Sequence, residues 1–201
     1  MARTADDPSP KRAAIQAAVL QATEDLLAEG ASFPDLGIER IATRAGISRT
    51  AFYFYFKDKR ELLARLTEDL SDELYRQADI WFSGGEDPHQ EMHAALTAIQ
   101  GVYRDHAPLV RAVVEAAAGG PEVAAFWRTL LGRFVDAAAE RIAAERPEGT
   151  VLGAPHPTAF ALVWMVERAF YEQLAQGEPY APEELVDALC GIFMRTVYGV
   201  R

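Results

Sequence analysis

Much of what the sequence lacks narrows its function. A single cysteine, Cys190, excludes an internal disulfide, and its apolar surroundings read as a small core residue. No run of about 18 apolar residues occurs, which excludes a membrane-spanning helix. The opening stretch MARTADDPSPKR lacks the apolar segment of a secretion signal, so a cytoplasmic protein is expected. His89, His93, His106 and His156 have no metal-ligand spacing. The Gly-Gly pairs at 84–85 and 119–120 do not open a phosphate cradle, because no Lys-Ser/Thr follows them. There is no nucleophile elbow, no HExxH motif and no nucleotide loop, and Glu167 beside Arg168 does not make a mechanism alone. No catalytic residue, metal or cofactor is expected.

Strand-like alternation is also scarce, whereas alanine is abundant and about half of the 201 residues are hydrophobic. An all-α protein follows. Helices are expected near 10–29, 38–45, 49–55, 58–82, 88–105, 108–118, 121–146, 157–176 and 182–198, many of them opened by proline. Gly30 and Gly177 suit helix ends that need positive φ. Asp58 with Glu61 suits a helix start. The segment 145–157, ERPEGTVLGAPHP, reads as a mobile loop.

Positive charge is short overall, the net charge being −10, but it is not evenly spread. Between Arg40 and Arg60 stand six basic residues, Arg40, Arg44, Arg49, Lys57, Lys59 and Arg60, against one acid, Asp58. After residue 60 there are eleven basic residues and twenty-two acidic ones. Local potential governs DNA contact, so the acidic remainder does not exclude it.

The basic segment contains GISRTAFYFYFKDKRELL, with aromatic side chains at every position from 52 to 56. Those rings cover every face of a helix turn, so some must leave the core. Ile38, Ile41, Ala42 and Ala45 share one face of a short helix. Gly46 permits a tight turn, Ile47 packs beneath it and Ser48 can cap the next helix. Small Ala42 allows Phe52 a close approach. The pattern is a helix-turn-helix with Arg49–Tyr55 as recognition helix. Phe52 and Phe56 are expected in its core, and Tyr53, Phe54 and Tyr55 near the surface. Arg40 and Arg60 read as solvated helix charges.

IATRAGISRTAFYFYFKDKREL resembles the signature of TetR-type bacterial transcriptional regulators over roughly residues 10 to 65. YFYF, QAD, EVAAFW, AAER, VERAF and VYG extend the resemblance to one subgroup of that family along nearly the whole chain. The resemblance implies a nine-helix homodimer. Residues 1–57 would form a helix-turn-helix DNA-binding domain, and 58–201 a ligand-binding and dimerisation domain. It places Thr43, Ser48, Arg49, Thr50, Tyr53, Tyr55 and Lys59 on operator DNA. Arg49 and Thr50 would read bases, Lys59 a phosphate, and Arg3, Lys11 and Arg12 could reach the backbone. The same subgroup holds an elongated apolar tunnel. Matching positions put Trp127, Leu131, Phe134, Phe170, Tyr171 and Phe193 on its lining, with His93, Leu96, Thr97 and Gln100, and Glu167 near one wall. Two asparagines of the subgroup correspond to Val163 and Val166, and a Tyr-Thr pair to Ala137 and Ala138. A wider, more apolar tunnel is therefore expected past Ala137. It would take a hydrophobic or amphipathic effector, held by few hydrogen bonds.

Residues 157–176 and 182–198 are apolar on more than one face and are expected to pair across a dimer, with Phe160, Val186, Leu189, Phe193 and Val197 as contacts. The expected function is a ligand-responsive repressor that binds a palindromic operator. A constitutive architectural DNA-binding protein and a small all-α enzyme remain the competing readings.

Overall fold

The computed structural model describes residues 10–119, 121–145 and 153–199. Among the described residues there are nine helices and no strand: α1 (Pro10–Ala28), α2 (Ile38–Arg44), α3 (Arg49–Phe52), α4 (Lys59–Phe82), α5 (Pro88–Asp105), α6 (Ala107–Gly119), α7 (Pro121–Glu145), α8 (Pro155–Ala175) and α9 (Pro182–Tyr198). Prolines open five of them, where the lost N–H had no intrahelical partner. Asp58 accepts from the N–H groups of Arg60 (2.8 Å) and Glu61 (2.9 Å), and Asp87 does the same for His89 and Gln90. α8 starts two residues before the expected Pro157. Residues 146–152, most of the expected mobile loop, lie outside the described residues, as does Arg3.

α1, α2 and α3 form a small group around Val19, Leu26, Ile41, Ala42, Phe52 and Phe56, all buried. Gly46 has φ +72°, a region other residues rarely adopt, and this bend lets the Ile47 N–H reach the Ala42 carbonyl at 2.9 Å. Ser48 Oγ accepts from the Ala51 N–H at 3.1 Å and opens α3. α3 is shorter than expected. The N–H groups of Phe54 and Tyr55 bond to the carbonyls of Ala51 and Phe52, three residues back, which tightens the chain into a turn. The tightening keeps both Phe52 and Phe56 in the core, ring centroids 5.5 Å apart.

The other helices enclose the larger part of the same continuous core. α4 packs on α5 and α7, α7 on α8, and α5 on α9. Arg133 of α7 donates to Asp72 Oδ1 (2.7 Å) and Ser71 Oγ (3.0 Å) of α4, and its guanidinium covers the Tyr75 ring. Cys190 is buried, its Sγ 3.9 Å from the His89 carbonyl oxygen, and burial pushes the thiol pKa up. Val186, Leu189, Phe193 and Val197 are also buried within the chain. This corrects their expected place at a dimer interface: α9 turns that stripe toward α5, and Ile192 is its large apolar residue left exposed.

Besides the packing of α1 on α6, polar contacts tie the small group to the rest. Lys59 Nζ, at the start of α4, donates to the carbonyls of Phe33 (2.8 Å), Pro34 (2.8 Å) and Leu36 (3.0 Å) in the α1–α2 loop. An ammonium has three donors, so all are engaged. Partial burial lowers the Lys59 pKa. At the α5–α6 junction the His106 ring lies between Glu24 of α1 (3.7 Å) and Glu73 of α4 (3.3 Å). Both nitrogens face carboxylates, which favours the imidazolium. Its pKa is raised, by Glu24 first, with Glu73 and Asp105 adding and partial burial opposing.

Two expectations follow. Lys59→Met leaves three carbonyls without their donor and lowers the unfolding free energy in urea by about 1–3 kcal/mol; an unchanged transition midpoint would refute the clamp. For His106 the folded pKa exceeds the unfolded one, so its stabilisation is complete below about pH 6.5 and fades as pH rises through the folded value. The melting-temperature gap between wild type and His106→Gln is therefore larger at pH 6 than at pH 8.5. Equal gaps at both pH values would remove His106 from the account.

Candidate functional site

The surface of α2 and α3 carries the first candidate site. Thr43, Ser48, Arg49, Thr50 and Tyr53 are exposed on it, and Tyr55 is half-buried beneath the Arg12 guanidinium, 5.6 Å from the ring centroid. Phe54 is 72% exposed, an apolar ring held in water beside the recognition helix. The basic residues of this region divide into two sets. Arg44 binds Glu29 through both carboxylate oxygens (2.7 and 2.8 Å) and pins α2 to α1. Arg60 pairs with Asp58 at 3.3 Å, and Lys59 is held by the loop carbonyls. Arg40, Arg49 and Lys57 are exposed and make no ion pair among the described residues. The electrostatic face is thus smaller than the six-residue count suggests. Lys59, expected on a phosphate, instead secures the loop, because carbonyls 23 to 26 residues earlier in the chain fold over its ammonium.

The second candidate site is a cavity of about 80 Å³ among α4, α5, α7, α8 and α9. Of the residues expected there, Leu96, Leu131, Phe134, Val163, Val166, Glu167 and Phe193 line it. Seven others do not. His93 bonds to Asp187 (3.0 Å), the Thr97 hydroxyl donates to the His93 carbonyl, and Gln100 donates to the Pro182 carbonyl (3.2 Å). His93 and Gln100 thereby face α9. Phe170 packs on Tyr103, and Tyr171 lies under Arg168. Trp127 is buried outside the lining. Ala137 is half-buried one position around α7, and Ala138 is the small residue that faces the space. The sequence reading missed the α4 wall, Leu74, Ala78, Trp81 and Phe82. Its signal was present in the apolar repeat at 74, 78, 81 and 82, which reads equally well as ordinary core.

A buried ion network abuts this wall. Arg141 of α7 lies over the Trp81 ring at 4.7 Å and reaches Glu91 Oε2 of α5 at 2.8 Å and Glu145 Oε1 at 3.0 Å. The Tyr198 hydroxyl of α9 donates to the other Glu145 oxygen. The paired carboxylates hold the Arg141 pKa up against its burial. Four helices meet there, and removing one partner would strand a buried charge. Among the described residues no group of His, Cys, Asp and Glu could hold a metal ion, and no helix is long and apolar enough to cross a membrane.

Two family models match the chain. The model for bacterial regulatory proteins of the tetR family covers residues 19–66, and that for the C-terminal domain of the transcriptional regulator EthR covers 92–199. The HTH-type transcriptional regulator EthR of Mycolicibacterium smegmatis is 33% identical over 195 residues, covering 92% of this chain and 86% of its own. The Mycobacterium tuberculosis protein of the same name is 31% identical, with 90% and 86% covered. Among solved structures, a transcriptional regulator from Rhodococcus sp. superposes with a TM-score of 0.69 at 22% identity, covering 96% of this chain and 100% of that one. FadR from Bacillus subtilis in complex with stearoyl-CoA superposes at 0.71 with 14% identity, covering 92% and 99%. These two likenesses speak to the fold. The bipartite helical architecture, the exposed helix-turn-helix and the two matching models agree: the chain belongs to the TetR family of DNA-binding bacterial transcriptional regulators, with a C-terminal domain of the EthR type.

Proposed function

We propose that the protein is a ligand-responsive repressor, acting in the cytoplasm as a homodimer on a palindromic operator. Residues 1–57 serve DNA binding, and residues 58–201 serve effector binding and dimerisation. One observation carries this reading: α4 connects the two candidate sites, with Lys59 clamped beneath the helix-turn-helix and Trp81 in the cavity wall. A compound that changes the cavity acts on the same helix that seats the DNA-reading group. By linkage, an effector that weakens operator binding is itself bound more weakly by the operator complex, by the same factor. Bound stearoyl-CoA in Bacillus subtilis FadR supports a long apolar effector for this fold. The competing reading, a constitutive DNA-binding protein, requires that no cavity-binding compound alter operator affinity.

On the DNA, Arg49 and Thr50 face the base edges, while Thr43, Ser48, Tyr53 and Tyr55 contact the backbone. Symmetry of the dimer places one recognition helix in each half-site. α8 and α9 form the interface. Phe160 (53% exposed) and Ile192 (42% exposed) are large apolar side chains only partly covered in the single chain, the Phe160 ring lying tilted 6.1 Å from that of Trp164.

Selecting bound duplexes from a random pool is expected to return an inverted repeat. Arg49→Ala then costs about 1–3 kcal/mol on that site and relaxes one base preference in each half-site. Unchanged affinity and preference would remove Arg49 from base reading. Phe160→Glu combined with Ile192→Glu is expected to sediment as a folded monomer with lost operator binding, against a dimeric wild type. A double variant that remains dimeric would place the interface elsewhere.

A further inference from the structure

His106 caps the C-terminus of α5, and charged groups from three helices converge on its ring. Nδ1 lies 3.7 Å from Glu24 Oε1 of α1, and Nε2 lies 3.3 Å from Glu73 Oε2 of α4. Asp105 precedes it on α5, and Asp25 of α1 lines the same groove. α6 brings Pro108 and Leu109, neither of them charged, and no lysine or arginine lines that groove. The side chain is 30% exposed, so water can deliver and remove its proton. A neutral imidazole has one N–H and one lone pair, so it can answer only one of two carboxylates. The imidazolium answers both. The acids raise the His106 pKa accordingly, Glu24 first, against partial burial.

The same helices reach both candidate sites. Leu74 follows Glu73 on α4, Tyr103 lies one turn before His106 on α5, and both line the cavity. Glu24 lies within one turn of Leu26, in the core beneath the helix-turn-helix. The cavity measures about 80 Å³ here, whereas an apolar cavity that holds benzene measures about 150 Å³. A larger effector seated in it has to spread α4 from α5, and with them the Glu73 carboxylate from the His106 ring. We propose that His106 is a proton-operated latch: as imidazolium it holds α1, α4 and α5 in the contracted, operator-binding arrangement, and loss of its proton loosens them. The proposal rests on the reading of the protein as a repressor released by its effector. Linkage sets the sign. Protonation favours the arrangement in which both carboxylates are answered, so operator affinity rises as pH falls and is lost as pH rises through the His106 pKa of that arrangement.

The test titrates the selected inverted repeat and a scrambled duplex with wild type and His106→Gln, at about pH 6 and pH 8.5 and constant salt. Circular dichroism at the assay temperature checks that each protein stays folded. The wild-type preference for operator over scrambled duplex is expected to fall at least about threefold from the lower to the higher pH. His106→Gln, which cannot take up the proton, is expected to keep one preference at both. A pH dependence that survives in His106→Gln overturns the proposal, as does a wild-type preference that stays constant or rises with pH. A second measurement needs no variant. NMR of isotope-labelled histidine is expected to give His106 a higher pKa in the operator complex than in the free protein. An equal or lower value overturns the latch even if His106→Gln fails to fold. Operator binding without pH dependence refutes the latch alone, whereas no operator binding at either pH refutes the repressor reading with it.

Discussion

A single ammonium on three carbonyls ties the α1–α2 loop to the start of α4. The α1–α2 loop presents the carbonyls of Phe33, Pro34 and Leu36 to one point, and Lys59 fills that point from the first residue of α4. Asp58, one residue earlier, caps the same helix, so the start of α4 is fixed by both its backbone and its side chain. From there α4 runs 24 residues, a length of about 36 Å at 1.5 Å per residue. Its far end supplies Trp81, which touches the cavity on one side and the Arg141 guanidinium on the other. The helix is therefore a rigid member with a polar fastening at each end. His106 adds a third fastening midway, between α1 and α4.

Polar fastenings distinguish these contacts from the apolar cores around them. Apolar side chains can slide and repack at modest cost, whereas a charged group that leaves its partners inside the protein cannot. The Arg133 link to Asp72 and Ser71 restricts α7 against α4 in the same way. No such fastening occurs among Leu74, Ala78, Phe82, Leu96 and Phe134, the apolar residues of the cavity wall.

Local signals were legible in the sequence, and distant partners were not. Proline, aspartate caps and apolar spacing marked nearly every helix, and the crowding of rings at 52–56 resolved into Phe52 and Phe56 inside and Tyr53 and Phe54 outside. Lys59 defeated the reading because its partners lie in a loop 23 to 26 residues away, beyond any periodic signal. Arg44 counted as available charge until its bond to Glu29 was visible. On α9 the apolar stripe was identified correctly but assigned to a partner subunit, since hydrophobicity reports burial without saying by whom. The cavity failed in finer detail. Ala137 and Ala138 differ by one helical position, about 100° of rotation, which a resemblance at the level of motifs does not resolve.

Cys190 gives the fold an unplanned experimental convenience. Its thiol is 1% exposed and less acidic than a free cysteine, so alkylating reagents reach it slowly in the folded state. The natural chain therefore offers an almost silent background for thiol chemistry. A cysteine introduced at an exposed position such as Tyr53 could carry a spin or fluorescent label without first removing the native one. In a symmetric assembly each copy would carry one such label, and the distance between the two would report the separation of the recognition helices directly.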